Sequence, residues 1–273
     1  LIVTNDTASF TGSIPDYYDR CLGPVIFADY GADIARRVAA CNPGCVLETA
    51  AGTGIVTREL RNLLPPAARL VATDLNPPML EAARKKFRPA EQVEFQTADA
   101  TSLPFPDKCF DAAVCQFGMM FYPEKDKSYF EACRVLVPGG RYLFSVWDSF
   151  RYNPFAQITQ SVIGSFFPAD PPQFFQVPFS YYQIDQIKDS LICAGFTEIT
   201  IAIVQIEKQI ENAGHFADGL VHGNPVIDQI RAQGGVDPDR IADALKHALH
   251  KEFGAGPCRI PLQAIVFSAA KAS

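Results

Sequence analysis

Val46-Leu47-Glu48-Thr49-Ala50-Ala51-Gly52-Thr53-Gly54-Ile55-Val56-Thr57 is the stretch on which the fold turns. An apolar run ends in a glycine-bearing turn and passes directly into a segment of helical character, the context in which a ligand sits at the carboxyl end of a strand. Gly52 and Gly54 let the backbone bend sharply and approach a bound molecule without a Cβ in the way. They also bring the first amides of the following helix close to it. A plain tight strand-to-helix turn is the alternative reading of the same residues.

Outward from this turn, short apolar runs at 45–49, 69–74, 93–98, 110–115 and 141–147 carry the β-branched and aromatic content of buried strands. Amphipathic segments at 54–64, 77–87 and 124–136 separate them. Pro65-Pro66 ends the first, Asn76 and Pro77 start the second, and Pro138-Gly139-Gly140 ends the third. Strands alternating with helices predict five parallel strands in an α/β sheet. A helix at 184–194, a β-branched run at 197–206 and an apolar strand at 263–268 extend it. The chain divides into a helical cap (1–44), a core (45–149), an aromatic lid insertion (150–182) and the end of the sheet (183–273). That last part holds a helical insertion at about 212–256, read as two stretches broken by Gly234-Gly235 and the Asp237-Pro238 cap.

The 273 residues, 48% hydrophobic and 20% charged, suffice for a full enzyme core and exclude disorder for most of the chain. A net charge of −6 with no basic run gives nucleic acid no electrostatic footing. No segment reaches the ~18 apolar residues of a membrane span, and residues 1–10 lack the flank and core of a secretory leader, so a cytoplasmic protein with no membrane partner is expected. The eight cysteines need no disulfide framework. Cys41 and Cys45 read as helix-end thiols, and no metal site is expected.

Two details separate the turn from a dinucleotide site. Thr57 stands where the third fingerprint glycine belongs, and Glu48 lies directly under the turn, where a carboxylate repels a pyrophosphate. A cation suits that floor. S-adenosylmethionine, with a sulfonium and an ammonium and no phosphate, has the charge. Asp74 ends the second strand about 20 residues on, where a carboxylate accepts from both ribose hydroxyls; alternatively it bounds the helix starting at Pro77. Asp99 with the Ala100 amide offers an adenine-reading edge, or Asp99 is a surface loop acid. Gln116-Phe117-Gly118-Met119-Met120-Phe121-Tyr122 follows the fourth strand, either at the mouth where a methyl would emerge or as ordinary core.

Taken in order, the Glu48 to Gly54 loop, Asp74, Asp99-Ala100, the Asp111 to Gly118 segment and Arg134-Val135-Leu136-Val137-Pro138-Gly139-Gly140 resemble the class I S-adenosylmethionine-dependent methyltransferases. Within that class they are similar to the small-molecule group containing the ubiquinone/menaquinone-biosynthesis enzymes. The resemblance covers about residues 45–147. It implies a doubly wound, seven-stranded, mostly parallel sheet whose last strand is antiparallel, with helical lid insertions. It also implies Glu48, Ala50, Gly52 and Gly54 around the methionine part of the cofactor, Asp74 on the ribose, and Asp99 with Ala100 at the adenine. Leu75 and Met79 then pack on the adenine, and Gln116 and Phe117 form the far wall. Tyr17-Tyr18-Asp19-Arg20 resembles the aromatic lid of such enzymes, with Tyr18 over the methionine.

Methyl transfer is an in-line displacement for which the protein aligns the nucleophile and excludes water, so the absence of a triad is consistent. All four histidines (215, 222, 247, 250) fall in the C-terminal insertion, and His222, between Val221 and Gly223-Asn224-Pro225, is the candidate base. Met120, Trp147, Tyr152, Asn153, Phe155, Phe174, Phe175 and the His222 loop are expected to build an apolar pocket for a small aromatic or otherwise apolar methyl acceptor. If the chain forms a homodimer, the insertions supply the contact. The rival readings are a nicotinamide-dependent oxidoreductase, opposed by Thr57 and Glu48, and a non-enzymatic sensor or interaction module, favoured by the aromatics of 150–182.

Overall fold

A computed structural model describes residues 9–273, so the start of the expected cap lies outside the described residues. One sheet holds β1 (Cys45–Glu48), β2 (Arg69–Asp74), β3 (Val93–Thr97), β4 (Phe110–Gln116), β5 (Leu136–Trp147), β6 (Phe196–Ile210) and β7 (Cys258–Lys271). Their spatial order is β3-β2-β1-β4-β5-β7-β6. β1 to β5 pair in parallel, and β7 runs antiparallel to both β5 and β6. This is the seven-stranded sheet with an antiparallel last strand. Val46, Leu47 and the Ala112 to Cys115 run of the central strands are fully buried, because helices cover both faces. The order reverses between β1 and β4, which opens a crevice beyond their carboxyl ends.

Several elements differ from the sequence reading. β5 begins at Leu136 and absorbs the Pro-Gly-Gly expected as a turn, with a register shift opposite Phe110/Ala112. A Cβ on Gly140 would stand 2.9 Å from Val137 O and 3.1 Å from Asp111 O, so the strand bends there only as glycine. The 150–182 region, whose aromatic and proline content hid its periodicity, contains a helix at Pro154–Phe166. The 212–256 insertion holds three helices, Ala213–His222, Val226–Gln233 and Pro238–Phe253, since Gly223 and Pro225 divide the first expected stretch. Asp237 caps the last of them through the Asp239 amide at 3.0 Å.

The N-terminal helical segment is a continuous rod of unusual winding: Ile14–Tyr17, a π-helix at Tyr18–Phe27, then Ala28–Ala39. Pro24 inside it lacks an N–H, which removes an ordinary helical donor. The rod is pressed against the Ala213–His222 helix: a Cβ on Gly219 would fall 2.7 Å from Cys21 Cβ. Among the described residues no helix is long and apolar enough to cross a membrane, no cluster of His, Cys, Asp and Glu could hold a metal ion, and the eight cysteines are free.

Two residues expected in a pocket belong to the scaffold instead. Tyr152 is 43% exposed at the surface. Asn153 is completely buried and bolts the end of β5 to β7: its Nδ2 donates to Asp148 O and Gln263 O, each at 3.0 Å, and its Oδ1 accepts from Gln263 N at 3.0 Å. An Asn on a turn after a strand looks the same in sequence whether it faces a ligand or the neighbouring strand. Asn153→Ala strands the buried Gln263 amide and takes a donor from Asp148 O, while Gln263 O still accepts from Asp148 N at 3.1 Å, and is expected to cost about 2 kcal/mol of unfolding free energy. A urea midpoint equal to that of the wild type would contradict this role.

Candidate active site

The crevice is shaped by backbone conformations that few residues tolerate. Ala50 and Gly52 take left-handed φ angles of 51° and 57° as the chain leaves β1. A Cβ on Gly118, after β4, would lie 2.5 Å from Ala50 Cβ and 2.8 Å from Cys115 Sγ, so the two turns close on each other only around glycine. Gly54 does not line the crevice. Its φ is +80°, and a Cβ there would sit 3.0 Å from Ala83 Cβ, so its smallness serves the packing of helix Ile55–Leu63 on helix Pro77–Arg84.

Glu48 lies at the foot of the turn, 2% exposed. Thr57, one helical turn into the next helix, donates its hydroxyl to Glu48 Oε2 at 2.6 Å. The residue that replaces a fingerprint glycine is thus the acid's hydrogen-bond partner. Burial, and secondarily the charge of Asp74, push the Glu48 carboxyl up to about 8. Asp74 is also buried, and burial raises it above its ordinary value, opposed by its amide donors. Its Oδ2 accepts from Gly52 N and its Oδ1 from Asn76 N, both at 2.8 Å, so one side chain anchors the glycine turn to the end of β2. Asn76 Nδ2 also donates to Oδ1 at 3.3 Å, so Oδ2 is the oxygen that keeps a second lone pair for a ligand. Asp99 is exposed at the rim, where its Oδ1 accepts from the amide and hydroxyl of Thr101, both at 2.8 Å.

The N-terminal rod closes the crevice from above. Tyr18 stacks on Phe27, centroids 4.6 Å apart. The neighbouring Asp19 accepts from Thr53 Oγ1 at 2.7 Å and pairs with Lys86, which ties the rod to both flanking helices. Phe10 N donates to Asn76 Oδ1 at 3.1 Å, holding Phe10 at the mouth.

These edges enclose a cleft of about 930 Å³ that brings together Tyr18, Ala50, Gly52, Asp74, Leu75, Met79, Asp99, Ala100, Gln116 and Phe117. A recess of about 290 Å³ leads from Tyr18, Ala50, Gly52 and Gln116 to Glu48 and Thr53. Gln116 Nε2 donates to Phe27 O at 3.2 Å, and its Oε1 is buried with no partner among the described residues. A second cavity of about 460 Å³ holds Met120, Trp147, Phe155, Phe174 and Phe175 from the expected pocket. Phe10, Tyr18, Phe117 and Phe121 line both this cavity and the cleft.

His222 is in neither cavity. Its Nε2 lies 3.1 Å from Asp239 Oδ1 and its ring packs on Tyr17 at 5.1 Å, so it joins helices instead of facing an acceptor. Asn224, two residues on, lines the second cavity in its place. Phe10 and Phe179 are further lining residues that the sequence reading missed, and Phe121 lies in the Gln116 to Tyr122 stretch expected at the mouth or in the core. Asn224 had a signal in the Gly-Asn-Pro break, whereas isolated phenylalanines in loops had none.

Residues 46–140 match the family described as a methyltransferase domain. The ubiquinone/menaquinone biosynthesis C-methyltransferase UbiE of Pseudomonas syringae pv. tomato is 30% identical over 168 residues, 57% of this chain and 66% of that protein. Demethylmenaquinone methyltransferase of Thermus thermophilus is 40% identical over 119 residues, 41% of this chain and 54% of that protein. Residues 46–140 are thus a methyltransferase domain, set on the class I fold. It spans between about half and two thirds of the length of these relatives, 54% and 66%. Among solved structures, YcgJ of Bacillus subtilis superposes with a TM-score of 0.59 at 19% identity, over 90% of this chain and 99% of that one. Phosphoethanolamine N-methyltransferase 2 of Haemonchus contortus, in complex with S-adenosyl-L-methionine, gives 0.61 at 18% identity, over 98% of this chain and 59% of that one. The [4+2]-cyclase SpnF shares the fold as well, with a TM-score of 0.55 at 19% identity, over 89% of this chain and 81% of that one, so the fold by itself does not name a reaction.

The residues of the cleft and recess fit S-adenosylmethionine. An acid without an ion-pair partner among the described residues and the orphaned Gln116 Oε1 border the recess, where an ammonium and a sulfonium would satisfy both. Asp74 offers an acceptor for a ribose hydroxyl, and Leu75 and Met79 an apolar bed for a base. The nicotinamide alternative is not favoured. Asp74→Ala removes both the ribose acceptor and the anchor of Gly52, and is expected to weaken S-adenosylhomocysteine binding by at least about a hundredfold in a calorimetric titration. A cation over Glu48 lowers its pKa from about 8, so binding near neutral pH releases a proton and affinity climbs as pH approaches about 8, then levels. Titrations of S-adenosylmethionine in buffers of different ionisation enthalpy count that proton. Glu48→Gln should abolish both the release and the pH dependence.

Proposed function

We propose that this protein transfers the methyl group of S-adenosylmethionine to a small, apolar, aromatic acceptor held in the second cavity. The observation that carries this reading is the shared wall: the rings of Phe10, Tyr18, Phe117 and Phe121 face the cofactor cleft and the aromatic cavity together. The two spaces therefore adjoin along these rings, none of them charged, and transfer takes place where the methyl and the acceptor atom come into direct contact between them. When bound, the cofactor supplies a methyl already activated on a sulfonium.

The chain's own residues do the remaining work. Glu48, Asp74 and Gln116 hold and orient the cofactor from the β1, β2 and β4 ends. Phe117 is stacked flat on Trp147, centroids 4.0 Å apart and planes at 5°, which fixes the wall against which an acceptor ring would lie. The N-terminal rod and the Ala213–His222 helix shut out water, which strengthens every electrostatic interaction inside. The relatives named for ubiquinone and menaquinone biosynthesis support a ring-bearing acceptor. Incubation with methyl-labelled S-adenosylmethionine and a metabolite extract is expected to yield one apolar species heavier by a methylene. Label confined to charged metabolites, or none transferred at all, would overturn the reading.

A further inference from the structure

The second cavity is almost entirely hydrocarbon, and its single side-chain amide is unusually well oriented. Asn224 stands between helices Ala213–His222 and Val226–Gln233, 7% exposed. Its Nδ2 donates to Leu220 O at 3.2 Å and to Gly219 O at 3.4 Å, carbonyls in the last turn of the first helix, the second of which also accepts from Gly223 N at 2.9 Å. Only the NH₂ side of an amide can satisfy two carbonyls, so the flip of this side chain is set by the backbone. The carbonyl oxygen Oδ1 is left over. It has no hydrogen-bond partner among the described residues, and Asn224 lines the cavity. An acceptor atom without a protein partner is thus carried on a residue that lines an aromatic chamber.

The charge inventory of the chamber narrows what can use that oxygen. Among the described residues, no Asp, Glu, His, Lys or Arg lines it. The Tyr18 hydroxyl is held well above its ordinary pKa by burial, then by Asp74 and Asp19, so it stays protonated and takes no proton from a ligand. A carboxylate, phosphate or ammonium entering here would lose its hydration with no counter-ion in return.

We propose that Asn224 determines acceptor specificity: its Oδ1 receives a hydrogen bond from an uncharged hydroxyl or N–H on an otherwise apolar aromatic molecule. This rests on the reading of the second cavity as the acceptor site. A molecule of the same shape without the donor leaves Oδ1 unpaired and is discriminated against, the asymmetry that makes polar recognition sharper than hydrophobic fit.

Trp147, the only tryptophan of the chain, lines the cavity and reports on it. Its emission, excited at the red edge of indole absorption, is followed while para-propylphenol, para-propylfluorobenzene or para-propylbenzoate is added to the full chain saturated with S-adenosylhomocysteine. Fluorine nearly matches the hydroxyl in size and donates nothing. The phenol is expected to bind about tenfold or more tightly than the fluoro compound, with no binding of the benzoate. In Asn224→Ala the phenol-to-fluoro ratio should fall close to one. A purely structural role for Asn224 would move both affinities together and leave the ratio unchanged. Equal wild-type affinities, tight benzoate binding, or no response of Trp147 to any of the three overturns the proposal. Should Asn224→Ala fail to fold, the wild-type ratio and the benzoate arm still decide it. The affinity for S-adenosylhomocysteine, measured on the same samples, shows whether the methyltransferase reading falls with it.

Discussion

Glu48 is a carboxylate placed where water cannot reach it, at the end of the central strand, with one hydroxyl for company. A buried charge without a partner is among the most costly arrangements a fold can hold, and the protein meets the cost by keeping the group protonated until a cation arrives. The surrounding elements answer to that constraint. Thr57 must be a hydroxyl, where a dinucleotide site would have glycine. The turn above must be bare backbone, as Ala50 and Gly52 make it. The ligand must bring positive charge and no phosphate, which separates this pocket from other doubly wound sheets built on the same strand order.

The second organising feature is the ring layer between the two cavities. Phe117 holds a left-handed φ of 54°, unusual for an aromatic residue, with its amide donating to Ser145 O at 3.0 Å and its face stacked on Trp147. Backbone strain of this kind costs about 1–3 kcal/mol and persists where neighbours over-determine it. Here it stands where the two cavities adjoin. The N-terminal rod completes the layer from the other side, and close approaches at Gly219 and Gly223 weld it to the helical insertion. The insertions are therefore the outer walls of the chamber, and their apolar content faces inward: Phe155, Phe174, Phe175 and Phe179 are all buried.

Most of the β1 to β5 region was legible because each strand and crossover helix announces itself over a few consecutive residues. Boundaries failed where tertiary contacts overrode local signals. Pro138-Gly139-Gly140 reads as a stop, yet the neighbouring strand holds it in β5. Gly54 reads as a ligand-facing glycine, and it is the proximity of Ala83 that requires it. Asn153 and His222 looked like chemistry because each is a polar side chain among apolar and aromatic neighbours, but their partners proved to be backbone and a neighbouring acid.

The cleft side was largely legible in the sequence, since most of its groups stand at or just beyond a strand's end: Glu48 and Gly52 at β1, Asp74 at β2, Asp99 beyond β3, Gln116 and Phe117 at β4, with Tyr18 brought over them by the N-terminal rod. Parallel strands necessarily gather their carboxyl ends along one edge, so spacing along the chain translates into position in space. The acceptor chamber was decided only by the tertiary structure. Its walls come from separate segments spread between Phe10 and Asn224, and its aromatic side chains are those any core would use. Whether such a ring faces a cavity or another ring depends on how the helices dock. The orientation of Asn224, and with it the one polar contact the chamber offers, exists only once two helix carbonyls have claimed its amide nitrogen.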